Sequence, residues 1–392
     1  MKGKTVVIIG AGVAGLSCAW WLSELGCKVT VIERAPDLRS SGYMLGLSGP
    51  GFQAIEKLGL LELLKKYQPK IESNVYYNAK GDQLFNLIIK KIWGTLDILM
   101  IPRTDLVKEL YQLVAKKTST QVLFSTQLKG FKQCNASVTL ELSDGSEIST
   151  SMLIGADGVR SKTRQLLFDC EMQCQEPLGY KVAAFSLNEG LHPQTNFQSY
   201  AEPNRISEFY PLQGNRASGM YLWKDNSSHH LADRESALSE LADQFAHSHP
   251  KVKQRIAAID DEEPLLFDSL IMIDLPKWSQ GRVLLLGDAA HCLTLLSGQG
   301  AGMAMTSAYV LTQSLARLEF SQALQDHERQ MRPVITRLQQ RSRKLAPWII
   351  PSSEFNFKLR NLIIKCLPNK VIGWFFLRAV KSDIIAAEFE QP

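Results

Sequence analysis

Residues 5–9 form a short apolar run opened by Thr5, residues 16–25 form a longer apolar-rich stretch beyond a glycine turn, and residues 27–32 make a second short run ending at Glu33. Short runs bounded by glycine predict strands, and the longer stretch predicts a helix. From 51 to 67 the apolar positions Phe52, Ile55, Leu58, Leu61 and Leu64 recur at helical spacing. The pattern then turns strand-like: 75–89 predicts a hairpin about Lys80-Gly81-Asp82, a turn suited to positive φ. Pro102 opens a predicted helix from 103 to about 117, with Leu106, Leu110, Leu113 and Val114 on one face. Strands are predicted at 122–124, 130–134, 138–142 and 152–154, and again at 181–187, 206–212, 218–224 and 265–274, with a helix over 235–246 between them. A very apolar strand begins at 283, followed by glycines and a helix through 318.

Three glycine-rich stretches sit where these strands end. In Gly10-Ala11-Gly12-Val13-Ala14-Gly15 the first glycine permits the tight turn, the second lets a diphosphate approach the main chain without meeting a Cβ, and the third lets the helix pack on its strand. Free N–H groups at the helix start, aided by the helix dipole, face the anion. Glu33, about 20 residues past the glycines, is placed to accept from ribose hydroxyls and favours a ribose without a 2'-phosphate. In Gly155-Ala156-Asp157-Gly158, small residues can lie against a diphosphate while the carboxylate orients N–H groups or sugar hydroxyls. In Gly287-Asp288-Ala289-Ala290-His291, Asp288 can accept from the ribityl chain of a flavin. The cluster Ser297-Gly298-Gln299-Gly300-Ala301-Gly302 then exposes N–H groups at a helix start, suited to the N1/O2 edge of an isoalloxazine, where negative charge accumulates on reduction. Together the three stretches point to FAD.

Composition narrows the picture. A chain of 392 residues calls for two or three structural units, and a net charge of +5 without a basic tract interleaved with aromatics argues against nucleic acid. The seven cysteines are odd in number and scattered, which indicates a reducing, cytoplasmic compartment. Cys170 and Cys174 lack the second pair a zinc site needs and read as an incidental surface pair. The opening residues 1–15 read as the first strand and turn rather than a signal peptide, and no apolar stretch is long enough to span a bilayer.

The three motifs, in this order and at these separations, resemble those of the class A flavoprotein monooxygenases, whose fold is that of p-hydroxybenzoate hydroxylase. The resemblance covers about residues 5–332. It implies an α/β protein with a discontinuous, Rossmann-like FAD-binding domain (1–74, 98–175 and 276–335), an inserted substrate-binding β layer (75–97 and 176–275) and a C-terminal helical segment (336–392). It assigns the ADP half of the cofactor to Gly10, Gly12, Val13, Ala14, Gly15 and Glu33, with Arg34, Arg39 and Gly42 as helpers. Arg103 is assigned to a cofactor contact, Asp157 and Gly158 to a motif tied to FAD and NAD(P)H, and Gly287, Asp288, Gly298, Gly300 and Ala301 to the flavin half. Closer similarity lies with the tetracycline-inactivating branch, through Gly287 to Cys292 and Leu296 to Gly300. The chain departs from that branch at Leu293 and Leu295, where prolines are expected, and at Gly46, where an aspartate is expected.

The chemistry this resemblance implies is reduction of FAD by NADH or NADPH, addition of O2 at flavin C4a, and transfer of one oxygen from the hydroperoxide to an aromatic or polycyclic small molecule, tetracycline-like compounds included. The flavin performs that chemistry, so no side-chain nucleophile is required. His291 reads as structural or flavin-adjacent rather than a base. By period-2 alternation Phe185, Phe209, Met220, Tyr221, Trp223 and Phe267 are substrate candidates, each equally suited to sheet core. After Pro347, the apolar stretches 355–364 and 371–380 carry interspersed Lys and Arg. They read as helices covering the substrate entrance, with a basic amphipathic foot on an anionic membrane as the alternative. A reductase of isoprenoid or quinone-type substrates and a non-enzymatic flavin sensor are the rival functions. The expected oligomeric state is monomer or homodimer.

Overall fold

The computed structural model describes residues 1–38, 43–89, 91, 97–169, 174–187, 196–225, 227, 233–368 and 371–374. The strand Thr5–Ile9 lies inside a six-stranded sheet, ordered Ser279–Gln280, Val283–Leu285, Met152–Gly155, Thr5–Ile9, Lys28–Ile32, Thr120–Leu123 and parallel except for the first pair. Continuous apolar runs such as Val6-Val7-Ile8 and Met152-Leu153-Ile154 suit strands covered on both faces, and all six of these residues are buried. The helix Val13–Glu24 packs on this sheet, and Gly300–Arg317 packs on Val13–Glu24. A third helix, Pro50–Lys57, crosses Gly300–Arg317 where Gly51 faces Gly302, and a Cβ on Gly51 would stand only 2.6 Å from the Gly302 Cα. The helix expected over 51–67 is interrupted there: Gly59 has φ +71°, and the chain resumes as Leu61–Leu64.

A second sheet of seven strands runs Leu266–Ile273, Gln175–Ser186, Ala217–Lys224, Arg205–Pro211, Phe197–Glu202, Ser73–Tyr77, Gln83–Ile88, with one parallel junction between Phe197–Glu202 and Ser73–Tyr77. One face carries Phe185, Phe209, Tyr221 and Trp223 against Leu241, Phe245 and Val252 of the helical excursion 234–257. Within that side the buried Lys181 ammonium meets Asp225 at 2.6 Å and Glu240 at 2.8 Å. The other face carries Val182, Ile206 and Leu222 against Leu296, Ala346, Ile350 and Phe357. A small antiparallel sheet, Leu128–Gln133, Val138–Leu142 and Glu147–Thr150, flanks the cofactor side.

The helix Phe320–Ile349 runs unbroken through Pro333, Pro347 and residue 336, where the sequence suggested a boundary. Its buried face, from Met331 through Val334, Ile335 and Leu338 to Ala346, continues across that point, and packing outweighs the lost proline hydrogen bonds. Cys174 corrects the expected surface pair. It is buried in the main core beside the start of strand Gln175–Ser186, and Cys170 lies outside the described residues.

Candidate functional site

The first turn is shaped by contacts that exclude side chains. Gly10 has φ +104°, and a Cβ there would lie 2.4 Å from the Ala156 carbonyl oxygen, so the first and second glycine motifs meet backbone to backbone. Gly15 packs its helix so closely that a Cβ would fall 1.9 Å from the Gly10 carbonyl oxygen. A Cβ on Gly12, in contrast, would meet no atom within 4 Å. Its open side adjoins a cavity of about 360 Å³ lined by Gly10, Gly12, Glu33, Arg34, Arg103, Asp157 and Gly158, among others. Val13 and Ala14 start the helix beyond it. Arg39 and Gly42 lie outside the described residues.

Glu33 has a task that its spacing did not reveal. Its two carboxylate oxygens accept from the Ala11 and Ala35 N–H groups, each at 2.9 Å, so it braces the turn from beneath while still lining the cavity. Asp157 is committed similarly. Its carboxylate accepts from the Ser161 hydroxyl at 2.5 Å, the Thr163 N–H at 2.9 Å and the Thr163 hydroxyl at 3.0 Å, holding the start of helix Lys162–Phe168. Of the two roles expected of it, orienting N–H groups is the one these bonds display, and the residue also lines the cavity. Arg164, which sequence reasoning missed, donates from its buried guanidinium to the Val159 carbonyl at 2.6 Å and the Ala289 carbonyl at 3.1 Å, stapling the second motif to the third. Its position inside a helix gave no sequence signal.

The third motif touches the first: Gly287 has φ +61°, and a Cβ there would lie 2.8 Å from the Ala14 Cβ. Asp288 follows, surrounded by protein yet with its own surface open, the condition of a carboxylate on the wall of a deep cleft. That enclosure raises its pKa above the usual carboxylate range, opposed by Arg103 and by a hydrogen bond from Cys292. Tyr43 stands in the field of the same Arg103 and Asp288, and Arg103 donates its backbone N–H to the Tyr43 carbonyl at 3.1 Å. Asp105, two residues beyond Arg103, pairs with Arg216. Downstream, Thr294 is held at φ +59°. Thr294 Oγ1 and Gln299 Oε1 are buried with no hydrogen-bond partner among the described residues. Gln299 Nε2 donates to Ser48 Oγ at 2.8 Å. Cβ atoms on Gly298 or Gly300 would meet nothing within 4 Å, and helix Gly300–Arg317, with Ala301 in its first turn, starts with no side-chain cap and no acidic residue. Its first N–H groups and positive dipole end are therefore free to receive an anionic edge.

These features fit FAD. The Gly12 opening suits a diphosphate, the Asp288 carboxylate a polyol chain, and the uncapped helix start with two orphaned oxygens a heterocycle bearing donors and acceptors. His291 does not belong to the cleft. It is buried against the Trp278 ring at 4.6 Å, and burial lowers its pKa to about 4, so it stays neutral as a core group.

The β layer corrects the substrate assignment. Phe185, Phe209, Tyr221, Trp223 and Phe267 all lie on the far face, under the helical excursion 234–257. Alternation groups residues of one face together without saying which face is inward. Met220 is the exception, packed on the side of Leu295 and Leu296. Register puts Ser199, Glu208 and Met220 side by side on that face. Ser199 Oγ lies 3.4 Å from Glu208 and 2.9 Å from Asn74 Oδ1. Burial pushes the Glu208 carboxyl up to about 7. Two polar ties fix the layer to the cofactor side: Met44 N–H donates to the Tyr210 hydroxyl at 2.9 Å, and Arg160 grips Asp268 through two hydrogen bonds at 2.5 and 3.1 Å.

Comparison with known proteins agrees with this arrangement. The family model described as an FAD binding domain matches residues 4–342. An uncharacterized protein of Mycobacterium tuberculosis is 30% identical over 80% of this chain and 85% of its own length. The flavin-dependent monooxygenase eupH of a Phoma species is 28% identical over 91% of this chain and 90% of its own. In fold, the tetracycline destructase Tet(55) superposes with a TM-score of 0.82 at 22% identity, covering 100% of both chains. The interlocked glycine turns and these matches lead to one conclusion: the chain belongs to the FAD-binding domain family and is an FAD-dependent monooxygenase of the class A, p-hydroxybenzoate hydroxylase fold.

Proposed function

We propose that the protein uses NADH or NADPH and O2 to hydroxylate an aromatic or polycyclic small molecule, a polyketide or tetracycline-like compound being the best-matched class. The observation that carries this reading is the meeting of three glycine turns, Gly10 on Ala156 and Gly287 on Ala14, with a cavity along the first two. In this reading Gly10 to Gly15, Glu33, Arg34 and Arg103 hold the ADP half of FAD. Asp288 holds the ribityl chain, and the N–H groups from Gly298 to Ala301 face the pyrimidine edge. Once bound and reduced, FAD supplies the activation of O2. The protein's own part is to bind, orient and exclude water.

Leu295, Leu296 and Met220 provide an apolar enclosure for a flat substrate. Glu208, with Ser199 and Asn74 behind it, supplies one polar point that accepts a hydrogen bond from a substrate hydroxyl or amine. Tetracycline destructase Tet(55) supports the polycyclic class through its likeness in fold. Leu293 and Leu295 at the proline positions, and Gly46 at the aspartate position, shape the same region differently in this chain. The test is a screen of NADH and NADPH oxidation with O2 consumption and mass spectrometry across phenols, polyketides, tetracyclines and quinone precursors. A product heavier by one oxygen, formed in proportion to O2 consumed, supports the proposal. Product without matching O2 consumption refutes it in favour of a reductase, and no acceleration of flavin reduction by any compound refutes it in favour of a sensor.

A further inference from the structure

The helix Glu354–Cys366 is two-faced in an unusual sense. Its inward residues Phe357, Arg360 and Asn361 are buried, and Phe357 joins the core that contains Leu296 and Met220. Arg360 donates to the Ile349 carbonyl at 2.8 Å, locking the helix onto the end of Phe320–Ile349. This face packs against the β layer. The outward face is where polar residues belong, yet Phe355, Leu359 and Leu362 lie there at i, i+4 and i+7, with exposures of 73%, 44% and 59%. Trp348, at the adjoining helix end, is 45% exposed. Lys358, which pairs with Glu354 at 3.8 Å, and Lys365 flank the stripe along one side. Isolated exposed apolar residues need no explanation, but a row of them on one helix does.

We propose that this outward stripe docks the protein peripherally on an anionic lipid surface. Charge selects that occupant. Residues 336–392 hold ten Lys or Arg and four Asp or Glu, a net +6 against −1 for the rest of the chain; with Arg360 turned inward and Arg343 paired to Glu176, the remainder of the segment is still positive. Apolar side chains beside lysines, with tryptophan at the margin, match the layering of an interface, where apolar groups enter the acyl boundary and cations meet lipid phosphates. A second copy of this chain is the poorer occupant, because a twofold pairing of the stripe brings Lys358 and Lys365 against their own equivalents. Among the described residues no helix is long and apolar enough to cross a membrane, so attachment is lateral and reversible.

The test is co-sedimentation of the purified, FAD-loaded full chain with phosphatidylcholine vesicles and with phosphatidylcholine–phosphatidylglycerol vesicles. The expected result is binding to the anionic vesicles that weakens as salt is raised and is much lower on phosphatidylcholine alone. Each lysine near an anionic surface contributes about fivefold in affinity, so the double variant Lys358→Gln/Lys365→Gln binds roughly 25-fold more weakly. Phe355→Ser/Leu362→Ser loses at least about tenfold. Flavin content and thermal unfolding in the absence of lipid stay as in the parent, since these side chains point away from the core. Three outcomes overturn the proposal: no sedimentation with anionic vesicles, sedimentation undiminished in both double variants, or a dimer in analytical ultracentrifugation that Phe355→Ser/Leu362→Ser dissolves while vesicle binding is absent.

Discussion

The first turn separates two costs that glycine motifs usually confound, and a pair of alanine substitutions measures each. Gly15→Ala puts a Cβ 1.9 Å from the Gly10 carbonyl oxygen, whereas ordinary contact begins near 3.4 Å. Both atoms are anchored to backbone, so the helix Val13–Glu24 must move by about 1.5 Å relative to its strand. Overpacking of that kind costs ~3 kcal/mol or more. At roughly 2 °C per kcal/mol for a long chain, the FAD-free protein loses about 6 °C or more in Tm. Gly12→Ala meets no protein atom within 4 Å, and its φ of −84° and ψ of −172° suit any residue. Its expected stability cost is about 1 kcal/mol at most, from a poorer N-cap. Its effect falls on the cofactor instead. A Cβ on the open side of Gly12 keeps a diphosphate from one charge-assisted N–H hydrogen bond, worth about 2 kcal/mol, or roughly 30-fold in Kd. Differential scanning fluorimetry of FAD-free protein and titration of FAD by fluorescence quenching read the two quantities separately. Unchanged FAD affinity in Gly12→Ala, or an unchanged apo Tm in Gly15→Ala, refutes the division of labour.

Asp288→Ala lowers the flavin retained through purification, read from the ratio of flavin to protein absorbance, and full stoichiometric retention contradicts its proposed role. Glu208 keeps its proton to about 7 when folded, against 4.5 for the ordinary side chain, so the folded protein binds a proton that the unfolded chain releases. Stability therefore falls as pH rises through that window and is flat above it, by up to roughly 3 kcal/mol. Glu208→Gln removes the slope, and urea unfolding at about pH 5 and about pH 8 shows whether it does. Lys181→Ala leaves the Asp225 and Glu240 carboxylates facing each other without their cation and costs ~3 kcal/mol in thermal or urea unfolding. A loss below about 0.5 kcal/mol shows that the pair is only superficial.

What could be read in the linear chain were the features whose physics is local. Glycine at 10, 12 and 15 between an apolar run and a helix, a carboxylate at 33 and Gly-Asp at 287–288 carry backbone requirements that short stretches express on their own, so the FAD-binding domain and its cofactor were visible. The hairpin about Gly81 was visible for the same reason, with strands Ser73–Tyr77 and Gln83–Ile88 joined by a turn at φ +88°. Only the tertiary structure decided facing and partnership. Strand alternation could not tell that Phe209 and Trp223 turn to the rear core while Glu208 and Met220 turn to the cleft side, because period two looks the same from either face. That Asp157 holds Thr163, that Arg164 reaches Ala289, and that Gly10 meets Ala156 all join residues through folding rather than succession. Succession along a chain constrains torsion angles and periodicity, whereas contact depends on how distant segments come to lie together, and the site is made of such contacts.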